Sequence, residues 1–440
     1  MTPAGLLNRP GKKERLAIKR QARMRRFNRL RGRLPDFSTR WWIIVGEVLV
    51  VLGLLLINLY LLHPFFGRED KINVFSAPIV PILATVTEKI VPFSFGIRIW
   101  LLAFLVFFPV SFYYFVREIS GRRLAGLLST LIVTIPASVF LGMRIQLGLL
   151  SQDGGHVASL TLIPLVCLLM MRFLRTGNFW TGVLSAAATT FVALTSPIGF
   201  LVLVTFMVVI TFSEMLLGNG RLKIIRFLVI ILMAAGFSSF WYSPKFIFLT
   251  LDSDQGQLIR QAFGNLVPLS FFLLPLLGIF GFLLFENRPQ LQPIFIGLFL
   301  TVTFGLFSLG AGLGHSAPSR FLAAFGLSLS FLLGVLAVSL YDFLRLSSWL
   351  RKFKKIGHNR RVIAYGLLAF LLILSLVLIM VNTQGLWELE SDLVLGLSSD
   401  KKVGLWQIKE NISFMEGFLG YAITGVTSFG IYLIKAKLGL

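Results

Sequence analysis

The chain has 440 residues, of which 56% are hydrophobic and only 14% are charged, and its formal net charge at pH 7 is +23. A soluble globular protein carries about 25% charged residues, so this composition excludes that class. The apolar residues fall into runs of roughly 17 to 25, the length that crosses ~30 Å of hydrocarbon as a helix. The single cysteine, Cys167, lies inside one of these runs, so we expect no disulfide in the fold.

The chain begins with a basic arm, residues 1–40, which contains thirteen Lys or Arg and two acidic residues. A basic arm of this kind is also found in nucleic-acid-binding proteins. Here, however, Trp41 and Trp42 follow directly, and an apolar run continues to Leu62. Basic residues, an interfacial tryptophan pair and a span predict a cytoplasmic arm that lies on anionic lipid headgroups. We therefore expect membrane lipids as partners, and no nucleic acid.

Apolar runs along the rest of the chain predict about twelve transmembrane helices, in a single helical domain over residues 41–440. The predicted spans are 41–62, 96–116, 124–141, 157–171, 178–194, 197–217, 226–243, 268–285, 293–309, 321–341, 362–381 and 418–434. The stretch 72–95 is moderately apolar but interrupted by Pro78, Pro81 and Pro92. We interpret it as an interfacial or re-entrant segment and not as a span.

The connections between the predicted spans alternate in charge. With the N-terminus inside, about 31 of the 42 Lys and Arg residues fall on the inner side, and most acidic loop residues fall outside. The positive-inside rule therefore predicts an all-α polytopic protein of the plasma membrane with both termini cytoplasmic. The outer loops are then 63–95, 142–156, 244–267, 310–320 and 382–417.

Polar residues suited to chemistry concentrate in these predicted outer loops, whereas the spans are nearly free of charge. The candidate site residues are Glu69, Asp70, Arg144, Asp153, His156, Arg260, His315 and Arg320.

Three of these candidates also have an ordinary structural interpretation. Asp70 lies among mixed charges, as solvated loop residues do, and Asp153 is placed to cap the helix that follows. Arg320 opens a span, where it would either bind a lipid phosphate or extend to the interface.

Five short segments within residues 95–340 carry a resemblance to a known family. They are 121–128 (GRRLAGLL), 153–156 (DGGH), 194–199 (LTSPIG), 236–244 (GFSSFWYSP) and 318–322 (PSRFL). In this order they resemble the GT-C glycosyltransferase superfamily. They are closer still to the prokaryotic membrane proteins known as 6-pyruvoyl-tetrahydropterin-synthase-related, whose architecture looks GT-C-like.

The resemblance implies a transferase that uses a polyprenyl-phosphate-linked sugar at the outer membrane face, in cell-surface glycan assembly on a glycan or protein acceptor. In such enzymes a carboxylate of the first outer loop acts as general base or holds a divalent cation. Here that carboxylate would be Asp70 or Glu69. Arg320, with Arg144 or Arg260, would hold the phosphate, and the remaining substrate-binding residues would be Asp153, His156 and His315.

Two further functions are compatible with the sequence. A transporter or flippase of lipid-linked glycans would need a continuous polar path through the spans, which this chain lacks. A noncatalytic membrane scaffold with a GT-C-like fold needs no such path. The transferase differs from the scaffold in requiring Asp70, Asp153 and Arg320 to converge in one outward-facing cavity.

Overall fold

The computed structural model describes residues 37–63, 78–90, 96–135, 154–218, 220–253, 291–312, 318–346 and 405–438. All regular secondary structure within these ranges is helical, which confirms the predicted all-α class. The chain divides into two compact units, Met1–Gly53 and Leu54–Leu440. Residues 1–36 of the predicted basic arm lie outside the described residues.

The described part of the chain forms thirteen helices. They are α1 (Phe37–Leu62), α2 (Ile79–Ile90), α3 (Gly96–Ser120), α4 (Arg123–Thr134), α5 (Gly154–Thr176), α6 (Phe179–Ala193), α7 (Pro197–Leu216), α8 (Gly220–Ser238), α9 (Pro244–Asp252), α10 (Gln292–Gly312), α11 (Pro318–Leu346), α12 (Leu405–Glu410) and α13 (Phe414–Leu438).

Six helices in the described ranges, α1, α3, α5, α7, α11 and α13, are long and apolar enough to cross a membrane. Three more, α4, α6 and α10, contain shorter apolar stretches. The chain is therefore an all-α, multi-pass membrane protein. Ten of the twelve predicted spans overlap a helix of the structure, although residues 136–141 of the span 124–141 lie outside the described residues. The spans 268–285 and 362–381 lie wholly outside the described residues.

The helix α8 differs most from its predicted bounds of 226–243. It begins at Gly220 and ends at Ser238, so its first two turns include the basic residues that the prediction assigned to a loop. The aromatic residues 240–242 that extended the predicted span form a turn instead. The predicted bounds lay too far toward the C-terminus because they followed hydropathy alone. By hydropathy, a turn rich in aromatic side chains is as apolar as a helix.

The helix α2 lies in the stretch that predicted an interfacial or re-entrant segment. Its twelve residues extend about 18 Å at 1.5 Å per residue, too short to cross the hydrocarbon core. The Ile79 amide donates a hydrogen bond to the Leu194 carbonyl at 3.0 Å. Trp100 Nε1 donates to Thr87 Oγ1 at 2.8 Å. Leu194 directly follows the end of α6, and Trp100 lies near the start of α3. Since α2 contacts both of these residues, it lies at the end of the helices where α6 ends and α3 begins.

Contacts among helix termini show which termini lie together. Glu214, near the end of α7, accepts a hydrogen bond from Arg175 at the end of α5 (2.7 Å). It also accepts one from Gln292 at the start of α10 (2.9 Å) and lies 3.0 Å from the Lys223 ammonium in α8. We call this region the Glu214 end. Helices α5 and α7 end here, whereas α8 and α10 begin here.

The opposite termini of the same helices meet at what we call the His156 end. Tyr242, after α8, donates from its hydroxyl to the carbonyl of Ala193, the last residue of α6, at 2.5 Å. A Cβ at Gly155, in the first turn of α5, would lie 3.6 Å from the carbonyl oxygen of Thr195, just before α7. Helices α5, α6, α7 and α8 therefore alternate in direction.

Phenylalanine rings build the core between the two ends. Phe206 of α7 lies 5.4 Å from Phe304 of α10, measured between ring centroids, and Phe115 of α3 lies 5.8 Å from Phe331 of α11. These four side chains are buried. Aromatic pairs in this range contribute about 0.5–1.5 kcal/mol beyond area burial, so they fix how α3, α7, α10 and α11 pack.

Small residues bring α13 against α8. The Thr424 hydroxyl donates to the Gly236 carbonyl at 2.9 Å, and the Phe240 amide donates to Thr424 Oγ1 at 3.0 Å. A Cβ at Gly420 would overlap the Ser239 carbonyl oxygen. Close approach through small residues is a usual way for membrane helices to associate, so Gly420 sets the distance between these two helices.

We predict that Gly420→Ala weakens the contact between α13 and α8. The added methyl group overlaps backbone, and overpacking of this kind costs about 1–3 kcal/mol. The matched control is Gly425→Ala on the same helix, because nothing lies within 4 Å of a Cβ at that position. Denaturation in mild detergent, followed by tryptophan fluorescence, compares the two variants. Equal stability of both variants would contradict the prediction.

Candidate functional site

His156 is the one predicted site residue whose side chain falls within the described part of the chain. Arg320 lies in the first turn of α11, but its side chain is not among those described. The other predicted site residues lie outside the described residues: Glu69, Asp70, Arg144, Asp153, Arg260 and His315. Their roles stay predictions, including the proposed metal-holding role of Asp70.

His156 occupies the first turn of α5 and is 4% exposed. The predicted span began at residue 157, but the helix begins at Gly154, so His156 belongs to the helix and not to a loop. The carbonyl of His156 accepts a hydrogen bond from the Ser159 hydroxyl at 2.5 Å. This histidine is therefore held inside the protein, at the N-terminus of a 23-residue helix.

The first turn of α7 lies beside the start of α5, the helix that carries His156. Ser196 caps this helix by accepting a hydrogen bond from the Gly199 amide at 3.2 Å, and Pro197 takes the first helical position, where its missing N–H costs nothing. Both Thr195 and Ser196 are 1% exposed. The segment 194–199 is thus a buried helix start, for which Ser-Pro is a strong sequence signal.

The N-termini of α5 and α7 consequently face the same region. A Cβ at Gly199 would overlap the Ser159 side chain, so the first turn of α7 is in direct contact with the second turn of α5. A helix N-terminus carries about half a positive charge from the peptide dipoles. Two such termini side by side favour a negatively charged group, and phosphate is the group most often bound in this way.

Helix α11 also begins toward the His156 end. Its Phe321 ring lies 5.4 Å from the Phe307 ring of α10. Since α10 starts at the Glu214 end with Gln292, Phe307 lies well along this helix in the direction of the His156 end. The residues 318–322, selected from the sequence, therefore open a helix that starts at the same end as α5 and α7.

An aromatic cluster covers another part of the His156 end. Trp241 and Phe246 are buried, and Leu194 and Ile408 pack with them. Ser243 caps α9 by accepting a hydrogen bond from the Phe246 amide at 3.3 Å. The segment 236–244 is thus a helix end, a turn and a second helix start.

Sequence reasoning missed Lys409, which joins this aromatic cluster from the predicted outer segment 382–417. Its ammonium donates to the carbonyls of Phe240 (3.2 Å) and Trp241 (3.0 Å). It also lies 5.3 Å from the Trp241 ring centroid and 5.7 Å from that of Phe246, within cation–π range. Burial lowers the pKa of Lys409. The carbonyls just beyond α8 are a usual place for a cation, since the helix dipole is negative there.

The Glu214 cluster was also missed, because Arg175 and Gln292 lie 39 and 78 positions from Glu214 in the sequence. The Glu214 side chain is 2% exposed. Its Oε1 atom accepts from Arg175 Nε (3.0 Å), Arg175 Nη2 (2.7 Å) and Gln292 Nε2 (2.9 Å), while Oε2 accepts from Lys223 (3.0 Å). A buried carboxylate is retained when it is paired and hydrogen-bonded in this way. The cluster is therefore a structural junction of four helices.

The described residues contain no preformed metal site. Within these ranges, no cluster of three or more His, Cys, Asp or Glu side chains has a geometry suited to a metal ion.

The chain matches no protein-family model, no curated protein and no solved structure. The resemblance to the GT-C superfamily therefore rests on the sequence segments alone. The class that the helices define is an all-α, multi-pass membrane protein with an ion-paired end and an opposite end at which α5, α7 and α11 begin.

We predict that Glu214→Gln strongly destabilises the protein. The amide leaves Arg175 and Lys223 without their carboxylate, and breaking a buried ion pair costs about 3–5 kcal/mol. Glu118→Gln is the matched control, because Glu118 lies 3.6 Å from Arg175 and its side chain is 31% exposed. A surface pair contributes at most about 1 kcal/mol. The free energy of unfolding in detergent is measured for both variants. A loss of stability as small for Glu214→Gln as for Glu118→Gln would contradict the structural role of the Glu214 cluster.

Proposed function

We propose that this chain is a membrane glycosyltransferase-like protein that takes a polyprenyl-phosphate-linked sugar at the outer face of the plasma membrane, for cell-surface glycan assembly. The observation that carries the proposal is the meeting of the α5 and α7 N-termini beside buried His156. This arrangement favours a phosphate. The sequence resemblance supplies the class of donor, and the apolar helices supply a setting for its polyprenyl chain.

The proposed reaction transfers the sugar from the lipid phosphate of the donor to an oxygen of the acceptor. The acceptor oxygen forms the new bond to the anomeric carbon, and the lipid phosphate leaves with the electron pair of the broken bond. Asp70 or Glu69 would accept the proton from the acceptor as general base. The helix N-termini and Arg320 would stabilise the charge that develops on the leaving phosphate. A divalent cation held by Asp70 is the alternative role for that carboxylate.

Orientation in the membrane is proposed from the charges at the two ends. Among the described side chains of the second unit, the Glu214 end has nine cations and two acids, whereas the His156 end has three of each. The cations of the Glu214 end are Arg117, Arg122, Arg123, Arg172, Arg175, Arg221, Lys223, Arg226 and Lys435. By the positive-inside rule, the Glu214 end is cytoplasmic and the His156 end faces outward.

Accessibility of single cysteines tests this orientation. The one natural cysteine, Cys167, is buried, so it contributes little background. We expect a membrane-impermeant maleimide to label Asp252→Cys in intact cells. Arg172→Cys should react only after the membrane is opened, because the reagent cannot reach the cytoplasmic side. Both wild-type residues are exposed. The reverse pattern would invert the topology and place the His156 end in the cytoplasm.

Native mass spectrometry of the protein purified in mild detergent tests the donor. We expect a co-purified polyprenyl phosphate or its sugar adduct, lost in Arg320→Ala because the phosphate then lacks that cation. Arg172→Ala, an exposed arginine at the Glu214 end, should retain the lipid. Bulk phospholipid alone in all three samples would overturn the transferase and favour the noncatalytic scaffold.

A further inference from the structure

An exposed tryptophan and a lysine form a pair at the Glu214 end. Trp180, the second residue of α6, is 46% exposed, and the Lys435 ammonium lies 5.3 Å from its ring centroid. The Asn178 side chain accepts a hydrogen bond from the Trp180 amide at 2.9 Å. This cap holds the backbone of Trp180 at the helix start. Amphipathic rings of this kind are enriched at the level of lipid headgroups.

The first turns of α8 place a cation beside apolar side chains at the same end. Arg221 is exposed, and Leu222, Ile225 and Leu228 are 46%, 49% and 49% exposed. Arg226, further along the helix, donates to the Leu174 carbonyl at 2.7 Å, which ties α8 to the end of α5. A cation next to an exposed apolar surface suits a ligand with an anionic head and a hydrocarbon tail.

The described acidic side chains at this end are already engaged. Glu214 is paired with Arg175 and Lys223, and Glu118 lies 3.6 Å from Arg175. Among the described side chains, therefore, no acid of this end remains to neutralise Arg221 or Lys435. The surplus positive charge defines the charge of the ligand.

We propose that Trp180, Arg221 and Lys435 form a binding surface for anionic phospholipid at the Glu214 end. Arg221 and Lys435 supply the positive charge that attracts the headgroup phosphate, and the Trp180 ring beside Lys435 lies at the level of the glycerol region. The acyl chains lie along Leu222, Ile225 and Leu228. These three exposed apolar side chains favour a lipid over nucleic acid or free phosphate, since neither of those ligands would cover them. This surface is at the opposite end from the proposed donor site and does not depend on it.

Fluorescence quenching by brominated lipids tests the surface in the full-length protein. The protein is reconstituted in phosphatidylcholine bilayers that contain brominated phosphatidylglycerol or, separately, brominated phosphatidylcholine. The Trp180 signal is the difference between the wild type and Trp180→Phe. We expect phosphatidylglycerol to quench this signal at several-fold lower mole fraction than phosphatidylcholine. Arg221→Ala and Lys435→Ala should each weaken that preference about fivefold, as for one basic residue at a lipid surface.

Two controls separate charge from folding and from other ligands. Arg221→Lys keeps the charge and should keep the preference, whereas Lys245→Ala, at the opposite end, should leave it unchanged. Equal quenching by both lipids, or a preference unaffected by Arg221→Ala and Lys435→Ala, would overturn the proposal and indicate lipid contact without selection. Loss of the preference in millimolar inorganic phosphate at constant ionic strength would also overturn it, in favour of a site for the free anion.

Discussion

The buried carboxylate of Glu214 is the constraint from which the arrangement of the helices follows. A charge removed from water requires partners, and Glu214 finds them on three other helices through Arg175, Lys223 and Gln292. Because these partners lie at helix termini, the cluster decides which termini meet and in which direction each helix runs. The opposite termini are thereby gathered as well, and this brings the starts of α5 and α7 together.

Local signals predicted much of this fold, because hydrophobic runs and helix starts are encoded over a few residues. The junction at Thr195, Ser196 and Pro197 is an example, since a Ser cap and a Pro at the first helical position suffice to begin α7. The contacts that the sequence missed are long-range. Arg175 is 39 positions from Glu214, and Lys409 is 168 positions from Trp241. Nothing local distinguishes Lys409 from the lysines at 401 and 402.

Of the predicted candidate site, the structure describes one side chain, that of His156. The segments 153–156 and 194–199 were chosen because they resemble a family. In the structure, each of them contains a helix start at the His156 end. His156 itself was expected in a loop, but the earlier start of α5 buries it. The acidic half of the proposed site, Asp70 and Glu69, lies outside the described residues, so its relation to His156 stays a prediction from sequence.

The way α13 is attached has a consequence for the order of assembly. The main cluster of core side chains is drawn from α1, α3–α8, α10 and α11, and the described part of α13 adds none to it. Helix α13 instead contacts α8 through small residues, and only 11% of its apolar stretch Phe414–Lys435 is buried. In a membrane, helices insert individually before they associate. The phenylalanine core can therefore form while α13 is still separate, and the docking of α13 does not require that core to rearrange.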